Sequence, residues 1–200
     1  MGQHIDNLAA LIGSRICHDL ISPIGAVTNG LELMSMAGGT GPELELVNES
    51  AANANARVRL FRLAFGQATT DQMTSGQELA AILRDVYGQS RLAVEWPSPA
   101  NLPRDDAQAI MLGLLCCEEP LPKGGKIEVI ETENKWTLTA KGAAVAPNEK
   151  LWANLQRPSP DCDLAPAHVQ FALLPHLLAQ RGKTCRFQLG ESEVRLTLVL

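Results

Sequence analysis

No hydrophobic run in this sequence is long enough to cross a lipid bilayer. The longest, residues 110–117, falls far short of the roughly 20 apolar residues that a transmembrane helix needs. No signal peptide opens the chain, and no internal repeat or low-complexity tract interrupts it. We therefore expect a protein that has no contact with a membrane and works in the cytoplasm.

Paired cysteines and an excess of positive charge are also missing. The 5 cysteines are odd in number, and none forms a Cys-x-x-Cys motif. This pattern argues against a disulfide framework or a zinc site and predicts reduced, buried thiols. The net charge is −5 and the basic residues are scattered, which argues against nucleic acid or an anionic membrane as the main partner.

What the chain does have is enough apolar residues, 46% of its 200 residues, to build a core in one or two domains. Apolar residues recur every three or four positions over residues 5–34, which predicts one long helix. A glycine-rich break at residues 37–41 ends it, and Pro42 suits the first turn of a second helix. The apolar spacing over residues 44–68 is that of a coiled-coil seam.

Two long helices joined by a short turn form an antiparallel hairpin. A single hairpin of this length leaves half of its apolar surface in contact with water. The sequence therefore predicts that residues 1–72 form a homodimer, in which two hairpins make a four-helix bundle. The alternative is that the C-terminal part of the chain folds back and covers the hairpin.

Residues 73–200 show a mixed pattern of helices and strands. Helices are expected at residues 76–89, 104–117, 149–154 and 165–180. Strands are expected at residues 91–96, 127–132, 135–141, 184–189 and 194–200, after a polar linker at residues 67–74. This order predicts an α+β fold overall, with the hairpin followed by an α/β sandwich in which a helical layer packs on one mixed sheet.

His18, in the first predicted helix, is the candidate chemical centre. It lies two residues from both Ile16 and Leu20, so its ring points away from the apolar stripe. A neutral imidazole leaves one ring nitrogen free to act as a nucleophile. Pro23 follows one turn later and removes a helical hydrogen bond, which is hard to explain by packing alone.

Residues 18–23 read His-Asp-Leu-Ile-Ser-Pro, on a hairpin that precedes the α/β pattern. This arrangement resembles the sensor histidine kinases, whose hairpin dimerises and carries the phosphorylated histidine while the α/β part binds ATP. Residues 14–33 are more closely similar to the ChpT-type histidine phosphotransferases. Residues 121–127, Leu-Pro-Lys-Gly-Gly-Lys-Ile, resemble a later segment of the same family.

The motifs of a kinase ATP site are missing. The helix expected at residues 104–117 has no asparagine to hold Mg²⁺, and residues 140–144 lack the Asp-x-Gly-x-Gly motif. Residues 154–166 are proline-rich where the kinases have a glycine-rich lid. Without a metal ligand or a phosphate cradle a nucleotide would be held poorly. We therefore expect a degenerate ATPase-like domain with no nucleotide, metal or cofactor of its own.

The resemblance implies a phosphorelay role in two-component signalling, of the kind that controls the cell cycle. A phosphoryl group would pass from a receiver-domain aspartate to His18 and on to a second receiver, with Mg²⁺ brought only by the receivers. The implied partners are receiver domains of a hybrid histidine kinase and of response regulators. Two alternatives remain open: an ATP-dependent histidine kinase, and a non-catalytic dimeric scaffold that binds receivers. We expect a phosphotransfer protein rather than an autokinase.

The neighbours of His18 have expected roles in this reaction. Asp19 is expected to orient the ring or to help carry its proton; the alternative is a solvated surface acid. The other expected contributions are contacts with the receiver or with phosphoryl oxygens from Arg15, Ser22 and Asn29, and clearance for the receiver at Gly25.

Overall fold

The structure is a computed structural model, and it describes residues 2–37, 42–69, 71–96, 101–133, 135–158 and 164–200. Several sequence predictions lie outside these residues: the glycine-rich break after residue 37, part of the proline-rich segment at residues 154–166, and the predicted burial of the Cys162 thiol.

Two long helices at the N-terminal end of the chain pack on each other as a hairpin. Helix α1 spans Gly2–Ala37 and continues through Pro23, and helix α2 spans Pro42–Phe65. The two helices approach closely at Gly30, where an added Cβ would lie 2.4 Å from a methyl group of Val47. Any larger residue at position 30 would therefore push the helices apart.

The rest of the chain forms a mixed sheet with a layer of helices. In chain order the elements are β1 (Met73–Thr74), α3 (Gly76–Tyr87), β2 (Leu92–Glu95), β3 (Leu102–Pro103), α4 (Arg104–Glu118), β4 (Gly125–Thr132), β5 (Lys135–Lys141), α5 (Glu149–Gln156), a 3-10 turn (Pro166–His168), α6 (Gln170–Gln180), β6 (Thr184–Leu189) and β7 (Glu193–Val199). The five longer strands are arranged in the order β2-β4-β5-β7-β6. Strands β2 and β4 are parallel, and the other neighbours are antiparallel.

This architecture confirms the predicted α+β fold. The expected helices and strands begin and end within three residues of their predictions, except that the helix expected at residues 165–180 begins at Gln170 and is preceded by a 3-10 turn. The expected linker is a second exception. Its last two residues form β1, which pairs antiparallel with β3. The correction has a simple cause: a strand of two residues is too short to show the alternation by which strands are recognised.

Helix α4 lies at the centre of the core because it packs on the sheet, on α2 and on α6. Its largest fully buried side chains are those of Ile110, Met111, Leu112 and Leu114. The last turns of α2 contribute Leu60, Leu63 and Ala64 to the same cluster. The hairpin and the sheet therefore share one hydrophobic core at their junction.

Side chains of α4 also bind the C-terminal end of α2. Arg104 donates hydrogen bonds to two α2 carbonyl oxygens, at 2.7 and 2.9 Å. The side-chain amide of Gln108 donates to the carbonyl oxygens of Ala64 at 3.2 Å and Gly66 at 2.7 Å. Carbonyl groups in the last turn of a helix have no partner within the helix, so α4 supplies the partners that α2 lacks.

Exposed apolar side chains run along the hairpin. They are Ile21, Ile24, Leu31, Leu33 and Met36 on α1, and Leu44, Leu46 and Val58 on α2. The α/β part does not cover these residues, although covering the hairpin was the alternative to a dimer. Among the described helices none is both long and apolar enough to span a bilayer.

The prediction that the cysteines are buried is correct in part. Cys116 and Cys117 are buried in α4, whereas Cys17 is exposed on α1 and Cys185 is half-buried. The prediction is wrong for Cys17 because its position on α1 faces neither α2 nor the sheet. Burial raises the pKa of Cys185 to about 11, so this thiol stays protonated at neutral pH.

Candidate functional site

His18 lies near the middle of α1, and 80% of its side chain is exposed. Its Nδ1 atom lies 3.0 Å from Oδ1 of Asp19. An ionised carboxylate can only accept hydrogen bonds, so Nδ1 carries the proton and donates it. Nε2 is then left with a lone pair on a ring that solvent and other molecules can reach.

Two arginines hold Asp19 from its other side. Nε of Arg15, one turn earlier on α1, donates to Oδ2 of Asp19 at 2.8 Å. Nη1 of Arg57, on α2, lies 3.6 Å from the same oxygen, and Nε of Arg57 donates to Oδ1 of Asn53 at 3.1 Å. The Asp19 side chain is only 11% exposed, so it is not a solvated surface acid.

An open cleft of about 470 Å³ adjoins His18. Its lining comes from α1 (His18, Asp19, Ser22, Pro23, Ala26), from α2 (Glu49, Ser50, Asn53, Arg57) and from the turn after α3 (Gln89). The cleft is open, and eight of its ten lining residues are polar, unlike the enclosed apolar pockets that bind small molecules. This shape suits the surface of another protein.

Of the residues on α1 that were expected to contact or accommodate a receiver, Ser22 lies beside His18 and Asn29 lies far from it. Ser22 lines the cleft beside His18. No neighbouring element comes within 4 Å of a Cβ added at Gly25, so space is open there. Asn29 is exposed, but eleven residues separate it from His18, which is about 16 Å along a helix.

Arg15 does not extend into the cleft. Its side chain is 11% exposed, and besides its bond to Asp19 it donates through Nη1 to the carbonyl oxygen of Ala167, in the 3-10 turn. Both bonds turn the guanidinium inward. In this structure Arg15 therefore supports Asp19, whereas the sequence suggested that it contacts a receiver.

The sequence did not predict that residues of α2 contribute to the cleft. Arg57 and Asn53 contribute to the site, but only the register of the hairpin brings them opposite Asp19. A weak signal was present, since the two residues lie four apart and so share one face of α2 in an alanine-rich segment.

A second cavity, of about 270 Å³, lies beneath Asp19 between the hairpin and the α/β part. Its lining includes Arg15, Arg57, Tyr87 at the end of α3 and Glu118 at the end of α4. The Tyr87 hydroxyl donates to Oε1 of Glu118. Burial raises the pKa of the Glu118 carboxyl, and this effect outweighs the Tyr87 bond and the two arginine charges, which lower it.

Within the described ranges, no cluster of three or more histidine, cysteine or acidic side chains is placed to bind a metal ion. The chemical groups gathered at the site are one exposed imidazole, a shielded carboxylate and two guanidinium groups. An imidazole in this setting can accept an electrophilic group such as phosphoryl at Nε2.

Comparison with known proteins agrees with this chemistry. The profile of the histidine phosphotransferase C-terminal domain matches residues 76–193, more than half of the chain. The chain is 33% identical over 143 residues to protein phosphotransferase ChpT of Brucella abortus (strain 2308), with 68% of each chain covered. A solved bacterial phosphotransferase has a similar structure, with a TM-score of 0.79 and 25% identity over 96% of this chain and 95% of that one. The chain therefore belongs to the histidine phosphotransferase family, and its role is histidine phosphotransfer in a phosphorelay.

Proposed function

We propose that His18 carries the phosphoryl group and relays it between aspartates of receiver domains. Membership of the family gives the class of reaction. The observation that supports His18 as the carrier is its exposed ring, whose Nδ1 is bound to the shielded Asp19 carboxylate. Two other histidines have different surroundings, because His176 pairs with Gln180 and His168 packs edge-on against Phe171.

In the proposed reaction the Nε2 lone pair of His18 attacks the phosphorus of a receiver's acyl phosphate, in line with the leaving oxygen. The N–P bond forms while the P–O bond breaks, and the receiver's aspartate leaves as a carboxylate with the electron pair. The ring keeps its Nδ1 proton and becomes positively charged. Asp19 stabilises that charge through its hydrogen bond, and attack by a second receiver's carboxylate reverses the step.

We propose that this chain brings no cofactor of its own. Mg²⁺ bound by the receiver would neutralise charge on the phosphoryl oxygens. The receivers would be those of a hybrid histidine kinase and of response regulators. In this division of the chain, residues 1–72 dimerise and carry the phosphoryl group, and residues 73–200 form an ATPase-like domain that binds no nucleotide.

The cleft beside His18 is the proposed docking surface for a receiver, with Ser22 in its lining and open space at Gly25. Its polar lining and its openness to solvent support this assignment. Asn29 would meet the receiver at the edge of the contact, at a distance from the reacting atoms.

The test of His18 is a single-turnover transfer assay. The protein is mixed with a receiver that carries ³²P on its aspartate, and the label is examined for the acid lability and base stability of phosphohistidine. We expect label on the wild type and on the control variant His176→Ala, and none on His18→Ala. Receiver-to-receiver transfer that persists with His18→Ala would instead support a scaffold, and label acquired directly from ATP would support a kinase.

We further propose that the chain is a homodimer built by its hairpins. Ile24 and Leu31 are seven residues apart, which places them on one face of α1, and both are more than half exposed. Leu44 and Val58 share a face of α2 and are also exposed. A continuous apolar surface on a long hairpin is typical of a helical-bundle interface.

The dimer is tested by replacing Ile24 and Leu31 together with glutamate. We expect a monomer in sedimentation velocity, because charged groups cannot be buried without partners in such an interface. The matched control is Ile130→Glu, an equally exposed apolar residue on β4, which is expected to stay dimeric. A wild-type chain that sediments as a monomer at high micromolar concentration would contradict the proposal.

A further inference from the structure

We propose that Glu118, on α4 of the α/β part, is a positioning residue for phosphotransfer. It acts through the two arginines that flank Asp19, and in this way the C-terminal half of the chain takes part in the chemistry of the hairpin. The inference rests on the proposed role of His18 and assigns to Glu118 a role that the sequence did not indicate.

Geometry places Glu118 and the arginines around one cavity. Arg15 and Arg57 line it from the hairpin, and Tyr87 and Glu118 line it from the α/β part. Tyr87 is buried, and its hydroxyl donates to Glu118. Burial raises the pKa of Tyr87, so the hydroxyl keeps its proton and remains a donor.

Glu118 places a second carboxyl group behind the two arginines. Arg15 and Arg57 both pair with Asp19, and both line one cavity with Glu118. If Asp19 were the one carboxylate beside the two arginines, their positive charges would draw its electron density toward Oδ2. The oxygen that faces His18, Oδ1, would then be a weaker hydrogen-bond acceptor. A second carboxylate behind the arginines weakens that pull, because partly buried charges interact strongly at short range. Asp19 is then the better acceptor for the Nδ1 proton of His18.

The α/β part also fixes where the first arginine lies. The guanidinium of Arg15 donates to the carbonyl oxygen of Ala167 as well as to Asp19. Its position is therefore set by Asp19 and by the 3-10 turn together. Loss of the Glu118 charge changes the electrostatics of the pair while the Ala167 contact stays in place.

The variant Glu118→Gln distinguishes a structural role from a positioning role. A structural role predicts a lower unfolding temperature, whereas a positioning role predicts slower transfer without loss of stability. Burial raises the pKa of Glu118, so the carboxylate form that positioning requires is less favourable for the fold than the protonated form, and the contribution of Glu118 to stability declines as the pH rises through that pKa. The glutamine has the same shape, still accepts from Tyr87 and carries no charge. We therefore expect Glu118→Gln to unfold at a temperature no lower than the wild type at pH 7.5, yet to transfer phosphate more slowly.

The experiment measures single-turnover transfer from a phosphorylated receiver at pH 7.5 under saturating conditions. We expect Glu118→Gln to be about ten-fold slower, which corresponds to about 1.36 kcal/mol in the barrier. The matched control is Glu128→Gln, the same change at a carboxyl that pairs with Lys126 and Lys141 on β4 and β5. This control is expected to keep the wild-type rate.

A second readout is specific to positioning. The ¹⁵N chemical shifts of the His18 ring report which nitrogen carries the proton, and we expect the Nδ1-protonated population to fall in Glu118→Gln. Tyr87→Phe removes the donor to Glu118 and is expected to slow transfer in the same direction. It also serves as the test if Glu118→Gln fails to fold.

The outcomes separate the two proposals. Wild-type rates and unchanged His18 shifts in the folded variants would overturn the role of Glu118 and leave the role of His18 intact. Slow transfer accompanied by a lower unfolding temperature and unchanged shifts would show a purely structural role, and it would overturn the inference as well. Phosphate flow through His18→Ala would refute the underlying function itself.

Discussion

Replacing Asp19 with asparagine tests the proposal that Asp19 prepares the His18 ring for attack on a phosphoryl group. The Asp19 carboxylate accepts from Nδ1 of His18 at 3.0 Å and from Nε of Arg15 at 2.8 Å. Asparagine has one oxygen and one NH₂ group, and Arg15 can only donate. The oxygen of Asn must therefore face the arginine, and its NH₂ group faces the ring.

An NH₂ group facing Nδ1 favours the other ring tautomer, in which the proton lies on Nε2. The lone pair is then on the wrong nitrogen for attack on the receiver's phosphate. A hydrogen bond to a charged group contributes about 1.5–3 kcal/mol. Since each 1.36 kcal/mol changes a rate about ten-fold, we expect Asp19→Asn to slow transfer by about 10- to 150-fold. Because the His18 ring is exposed to water, its hydrogen bond to Asp19 is weakened. We therefore expect a reduction in rate near the lower end of this range.

The assay is again single-turnover transfer, with ¹⁵N spectra of the His18 ring recorded on the same samples. Asp85→Asn is the matched control, because Asp85 also pairs with an arginine, Arg59 at 3.0 Å, but lies on α3 away from His18. Transfer by Asp19→Asn within about two-fold of the wild type, with the proton still on Nδ1, would refute the reasoning.

Further predictions concern stability. Arg104→Ala should lower the free energy of unfolding by about 2–3 kcal/mol in urea denaturation, because two carbonyl groups at the end of α2 lose their donor. Trp152→Ala should lower it by about 3–5 kcal/mol in the same assay, since this fully buried ring also donates to Glu119. Hydrogen bonds from Lys141 and Lys126 lower the pKa of Glu128 from 4.5 to about 2. The stabilisation by Glu128 is therefore complete above pH 4.5 and is lost as the pH falls toward 2, so Glu128→Gln should show a smaller drop in unfolding temperature across that range.

Periodicity in the sequence was sufficient to predict the elements and one essential orientation. The three-and-four spacing along residues 5–34 indicated which side of α1 is apolar, and the exposed ring of His18 follows from it. Strands β5 and β6 begin and end where their alternation predicted. These features are local, so a single segment contains all the information that they need.

The parts of the site that could not be predicted depend on contacts between distant segments. Arg57 meets Asp19 only through the register of the hairpin, and Tyr87 meets Glu118 across 31 residues of sequence. Arg15 was expected to face a partner because its position on α1 adjoins that of His18. Its long side chain instead reaches Asp19 and the carbonyl oxygen of Ala167, a choice that no pattern within α1 reveals.

The bonds from Arg104 and Gln108 to the end of α2 have a consequence for how this protein chooses its partners. They fix the end of the hairpin to α4, so we expect Gln89, on the far wall of the cleft, to keep its position relative to His18. A partner domain therefore meets a preformed surface, and this chain loses little conformational freedom when the two associate. We expect the selectivity of this chain among partner domains to depend on the curvature of their surfaces. Insertion of a glycine after residue 66 should reduce that selectivity.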